Sequence, residues 1–164
     1  MQYMTEAKLT EQVVPFYETS APVPRASAEM QYRIKRIGAR PLIFTGAELG
    51  MAMSFAPDMA WWYEFNLFRS TQGFVLTVKR FYQSEDETDY CRAWEFDNLD
   101  AAMTALEKYD AAQDVKAERF IPSPSSSAAE FAACAMQLRA EISEARAHFA
   151  SLVGEFLHEL DAEM

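Results

Sequence analysis

The chain has 164 residues and a formal charge of −10; half of its residues are hydrophobic, 13% are aromatic, and it holds only 5 Gly and 7 Pro. That composition excludes a disordered, collagen-like or low-complexity chain, and the length allows one domain with appendages or two small ones. The acidity excludes a protein that coats nucleic acid or anionic membrane with its whole surface.

The start, Met1–Thr10, has no basic n-region and no apolar h-region, and acidic residues within the first dozen positions disfavour a transit peptide. No uncharged apolar run approaches the roughly 20 residues of a membrane helix, so no membrane partner is expected. Cys91 and Cys134 lie far apart and form no C-x-x-C pair, which reads as thiols in a reducing cytoplasm.

Residues 1–29 read as an N-terminal arm, with one short helix from Thr5 to about Val14 and then an extended stretch carrying Pro15, Pro22 and Pro24. Residues 30–112 read as a sheet-plus-helix domain. Gln31–Ile37 and Arg40–Phe55 look extended, broken by Gly38, Pro41, Gly46 and Gly50. Trp61, Tyr63, Phe65 and Leu67 alternate with Trp62, Glu64, Asn66 and Phe68, the period of a strand. Ser70-Thr71-Gln72-Gly73 is a hairpin turn with Gly73 free to take positive φ. Phe74, Leu76 and Val78 form one face of the return strand. A solvated loop, Ser84–Asp89, precedes the alternation of Tyr90, Arg92, Trp94 and Phe96. This is an antiparallel meander of four to five strands.

At Phe96–Asp100 the period changes to 3.6. Asp97 or Asn98 can cap a helix whose stripe is Leu99, Met103, Leu106 and Tyr109, packed on one face of the sheet. Residues 113–126 read as a linker ending in Ile121-Pro122-Ser123-Pro124 and serines. Residues 127–164 form one long amphipathic helix. In it Ala135, Ile142, Phe149 and Phe156 recur every seven residues, with Leu138, Ala145 and Leu152 three after the first three. The fold class is therefore α+β. The helix either packs on its own sheet or pairs with a second copy, through Leu138, Ile142, Phe149, Leu152 and Phe156.

The glycines fit no phosphate loop: there is neither a G-x-G-x-x-G nor a G-x-x-x-x-G-K-[ST] spacing, and turns and a bulge account for them. Glu155-Phe156-Leu157-His158 has the Glu-x-x-His spacing of di-iron bundles, but the other histidine, His148, has Ala145 three residues before it. Less than half a site is present, and Glu144 with His148 reads as a helix-surface pair. No metal and no cofactor are expected. Neither cysteine has a base beside it, although Cys91 could meet a histidine of a packed helix.

The second face of the sheet presents Trp62, Phe68, Lys79 and Phe81, with the basic run Arg33, Lys35, Arg36 and Arg40 nearby in sequence. Aromatics interleaved with cations suit single-stranded nucleic acid. Coverage of that face by the long helix or by a second subunit is the favoured alternative, because two bulky faces match two amphipathic helices in number. Strands followed by a helix, over about residues 30–110, resemble the element order of the transcription-coactivator and Whirly type of single-strand-binding domains. The resemblance is of element order, without a shared motif. Charge is uneven: −2 over residues 1–30, −1 over 31–98 and −7 over 99–164, so the sheet is nearly neutral and the tail acidic.

Three functions follow in order of expectation. The first is a non-catalytic α+β binding or adaptor module that self-associates as a homodimer. The second is a single-stranded nucleic-acid binder using Trp62, Phe68, Phe81, Lys79, Arg33, Lys35 and Arg36. The third is a small enzyme with its site between sheet and long helix.

Overall fold

The computed structural model describes residues 29–163; the arm and its short helix at 5–14 lie outside the described residues. Five strands, β1 (Met30–Ile34), β2 (Leu42–Met53), β3 (Trp61–Ser70), β4 (Phe74–Tyr82) and β5 (Tyr90–Phe96), pair in chain order as an antiparallel meander. Helix α1 (Leu99–Lys108), two 3-10 turns (Ala111–Asp114 and Ala117–Phe120) and helix α2 (Ala128–Glu163) follow. The fold is α+β, and no described helix is long and apolar enough to cross a membrane.

Local chemistry sets the boundaries. In the β3–β4 turn the Ser70 N–H donates to Gly73 O over 2.8 Å, and Gly73 takes φ +156°. A Cβ there would fall 2.2 Å from Phe96 O, so glycine is needed for close approach as well as for the turn. The β2–β3 register shifts between Glu48 and Gly50, a bulge beside which α2 docks. Asn98 is the α1 cap: its side chain accepts from the Ala101 N–H at 2.8 Å. Ser127 does the same for α2, accepting from the Glu130 N–H at 3.2 Å.

The alternation of β3 and β4 sorts the core as the sequence predicts. Tyr63, Phe65, Leu67, Leu76 and Val78 face α1, through Ala102 and Leu106, and α2, through Ala145, Phe149, Leu152, Val153, Phe156 and Leu160. Each of the larger side chains buried here contributes about 1.5–3 kcal/mol. The expectation of one helix per face is corrected: both helices pack on this first face.

The second face is covered differently, because the meander curls until its ends meet. The Ile37 N–H donates to Cys91 O at 2.8 Å, and Arg36 Nη1 donates to Ala93 O at 2.8 Å. The segment after β1 thus reaches β5, the opposite edge. Tyr32 of β1 packs on Phe68 of β3 with ring centroids 4.8 Å apart, and Ile34, Leu42, Phe44, Val75, Cys91 and Ala93 complete that second cluster. Accumulated strand twist brings this about, and it is absent from single-strand periodicity.

At 1.5 Å per residue the 36 residues of α2 span about 54 Å, longer than a small domain is wide. Its second half is docked in the core. Its first half is largely exposed, including Phe131 and Met136.

Candidate anion-binding pocket

The strand phase that places Leu76 and Val78 in the core also places Arg80 there, one step further along β4. Arg80 is only 4% exposed. Its guanidinium carbon lies 4.0 Å from the Trp61 ring centroid, 5.1 Å from that of Tyr63 and 5.4 Å from that of Tyr82. Nη1 donates to Tyr63 Oη at 2.8 Å. Nε is buried with no acceptor, and among the described residues no carboxylate lies within ion-pair distance of the guanidinium. A buried cation held by ring faces and one hydroxyl has lost most of its hydration, and Asp114 reaches it only through that hydroxyl.

The hydroxyl that Arg80 holds belongs to a larger network. Tyr63 Oη donates to Asp114 Oδ2 at 2.6 Å, Tyr109 Oη donates to the same oxygen at 2.7 Å, and Tyr90 Oη donates to Oδ1. Arg92 Nη2 stands 3.6 Å from Oδ1. Asp114 is 4% exposed, in the 3-10 turn that follows α1. Burial, and then the charge and hydrogen bond of Asp114, push the Tyr90 and Tyr109 hydroxyls far above the usual phenol range. Burial is also the largest cause for Tyr63, opposed by Arg80 and reinforced by Asp114. All three therefore stay protonated as donors, and the carboxylate ties β3, β5 and α1 to the turn.

Beside this network a pocket of about 260 Å³ opens at the end of the sheet. Trp61, Tyr82 and Phe120 supply apolar wall, and Arg80, Lys116 and Arg119 supply cations. Lys116 Nζ donates to Glu87 Oε2 at 2.8 Å, and Arg119 pairs with the other oxygen of Glu87. Asp114 and Glu141 are the remaining carboxylates of the lining.

A second, more open pocket of about 300 Å³ holds His148, whose Nε2 lies 2.5 Å from Ser54 Oγ. His148 is not the solvated helix-surface residue expected: it faces the sheet, its ring 5.0 Å from that of Trp61. Burial and Arg80 lower its pKa, against Glu144 and Glu155, so the neutral form is favoured. As an acyl-transfer dyad the pair is incomplete. Ser54 Oγ already accepts from the Tyr63 N–H at 3.0 Å, and His148 Nδ1 has no orienting partner among the described residues. Among those residues no group of three or more His, Cys, Asp or Glu is placed to hold a metal.

The residues singled out from sequence lie elsewhere. Phe68, Lys79, Phe81 and Trp62 are 0%, 2%, 2% and 5% exposed, on the curled inner face. Lys79 Nζ donates to Glu64 at 3.3 Å, and Trp62 stacks with Phe81 at 5.8 Å between centroids. Arg33 and Lys35 are exposed on the outside of β1 and just after it, whereas Arg36 is half-buried and bonds two backbone carbonyls. On α2, Leu138 and Ile142 are half-buried, while Phe149, Leu152 and Phe156 are buried against the chain's own sheet.

Arg80 is a cation in the same strand phase as Leu76 and Val78, a signal that the alternation of β4 carries. Asp114, Lys116 and Arg119 fall in the stretch read as a linker, where nothing in composition marks them. No family model matches the chain, and no curated protein or solved structure matches it either.

Proposed function

We propose that the chain is a non-catalytic binding module that takes a small anionic ligand into the pocket at Arg80. The observation that carries this reading is a guanidinium 4% exposed, with no carboxylate partner among the described residues, bordering a pocket with aromatic walls. An anion bound there would meet the guanidinium directly, where Asp114 reaches it only through Tyr63, in a poorly solvated site where charge-assisted hydrogen bonds are strongest. Location in a reducing cytoplasm is part of the same proposal, and neither cysteine forms a disulfide.

Thermal denaturation of the full chain with acetate, benzoate, sulfate and phosphate tests it. At 100 times its Kd a ligand adds about 2.7 kcal/mol of stability, a Tm rise of several degrees. The rise should disappear in Arg80→Met. Ser84→Trp, which fills the pocket from an exposed lining position, gives a second readout if Arg80→Met fails to fold. Wild-type protein indifferent to every anion contradicts the proposal.

A second reading, self-association as a homodimer, is supported by Phe131 and Met136, 47% and 71% exposed on the first half of α2. Light scattering of wild type and a Phe131→Ser/Met136→Ser double variant would separate dimer from monomer. Less supports single-stranded nucleic acid, since Trp62, Phe68 and Phe81 have no exposed ring face of useful size for base stacking.

A further inference from the structure

The charges around the pocket say what kind of anion suits it, an argument that rests on the reading of the pocket as a binding site. Three cations line it, Arg80, Lys116 and Arg119. Three carboxylates oppose them, Glu87, Asp114 and Glu141. Glu87 bridges both Lys116 and Arg119, so the loop between β4 and β5 already places an anion on the two outer cations. The lining is thus neutral as a whole, and Arg80 is its cation without a directly bonded carboxylate among the described residues.

Of the guanidinium donors left without an acceptor, Nε is shut off from solvent and Nη2 keeps accessible surface. Nη1 is bonded to Tyr63, Nε is buried without an acceptor, and Nη2 has no acceptor among the described residues. Nη2 is therefore the donor that an oxygen of a ligand carboxylate can meet, in a charge-assisted bond. The guanidinium carbon lies 4.0 Å from the Trp61 ring centroid, so the cation is bordered by aromatic surface. A volume of about 260 Å³ is below the usual range of ligand pockets, which suits a body of a single ring.

We infer that the ligand is a small monocarboxylate on a flat apolar body, its carboxylate on Nη2 of Arg80 and its body against Trp61, Tyr82 and Phe120, and that Glu87 excludes dianions from the same pocket. A phosphate ester would place its second charge against Glu87 and Glu141, which is repulsive in a partly desolvated site.

Calorimetric titration of the full chain with benzoate, benzamide and phenylphosphonate tests this, at a mildly alkaline pH where the phosphonate carries two charges. Benzoate should bind at least tenfold more tightly than either of the others, as a charge-assisted bond implies. Glu87→Gln, a loop substitution that keeps the side chain's shape, should raise phenylphosphonate affinity at least tenfold and change benzoate less. Phenylphosphonate binding the wild type as tightly as benzoate overturns the monoanion assignment and leaves the pocket an anion site. A Glu87→Gln chain that still rejects phenylphosphonate overturns the role of Glu87. Benzamide equal to benzoate, or no binding of any of the three by wild type, removes the anion reading itself.

Discussion

Replacing Asp114 by Asn alters the carboxylate that three tyrosines address while preserving its volume. In the wild type Oδ2 accepts from Tyr63 and Tyr109, and Oδ1 from Tyr90 and Tyr109, with Arg92 3.6 Å from Oδ1. An asparagine offers one acceptor oxygen and turns an NH2 group toward hydroxyls that were donating. Tyr63 cannot simply reverse its role, because its oxygen already accepts from Arg80. At least two hydrogen bonds to a charged group are lost, at about 1.5–3 kcal/mol each, some of which returns as rotated hydroxyls find partners. The expected loss is therefore about 3–5 kcal/mol, the range seen when one partner of a buried charged set is removed. Against a typical total of about 5–15 kcal/mol this is a large fraction. Urea denaturation followed by tyrosine and tryptophan fluorescence measures it, with the midpoint falling and the slope unchanged. Tyr90→Phe alone and with Asp114→Asn closes a cycle whose coupling should exceed about 0.5 kcal/mol. A loss below about 1 kcal/mol for Asp114→Asn would falsify the account of Asp114 as the hub between sheet and turn.

Other substitutions and pH scans probe separate parts of the molecule. Phe156→Ala empties a fully buried site between α2 and Phe65 and should cost about 3–5 kcal/mol in urea, whereas a cost near zero would mean that α2 is not docked on its own sheet. Tyr63, Tyr90 and Tyr109 have raised folded pKa values, so their contribution is intact below the ordinary phenol value of 10.0 and is lost as pH climbs above it. Tyrosinate absorbance from these three should appear only with unfolding, and stepwise ionisation in the native state would contradict that. His148 has the opposite sign: its lowered pKa gives stability present above 6.5 and lost as pH falls below that value. His148→Gln should flatten the acid limb of a stability–pH curve, and an unchanged limb would place the titration elsewhere.

The meander and the first helix were legible because each rests on nearest neighbours in sequence. Period-two alternation fixed the faces of Tyr63, Phe65 and Leu67, and the change of period at Phe96–Asp100 located the Asn98 cap. Curling of the sheet was not legible: the contact of Tyr32 with Phe68 spans two strand pairings and depends on accumulated twist. That one contact set decides what covers Phe68, and with it where both helices go. Heptad spacing in α2 identified an apolar stripe, but the same stripe serves a sheet or a second helix equally well. Phe149, Leu152 and Phe156 turn out to serve the sheet. The Arg80 pocket was half legible. An arginine in phase with Leu76 and Val78 marks an inward cation, yet its partners come from a proline- and serine-flanked stretch whose order depends on Asp114 meeting three tyrosines.

The claim that Arg80 waits for an anion can be read at the guanidinium concerned, in a heteronuclear NMR spectrum of the arginine side-chain N–H groups with benzoate added. Assigned by its absence in Arg80→Lys, the Arg80 Nε–H signal should move saturably, alone among the arginines or well ahead of them, and with the same Kd as calorimetry gives. An Arg80 signal that stays in place while benzoate binds, or while every other arginine shifts in proportion to salt, would contradict the account.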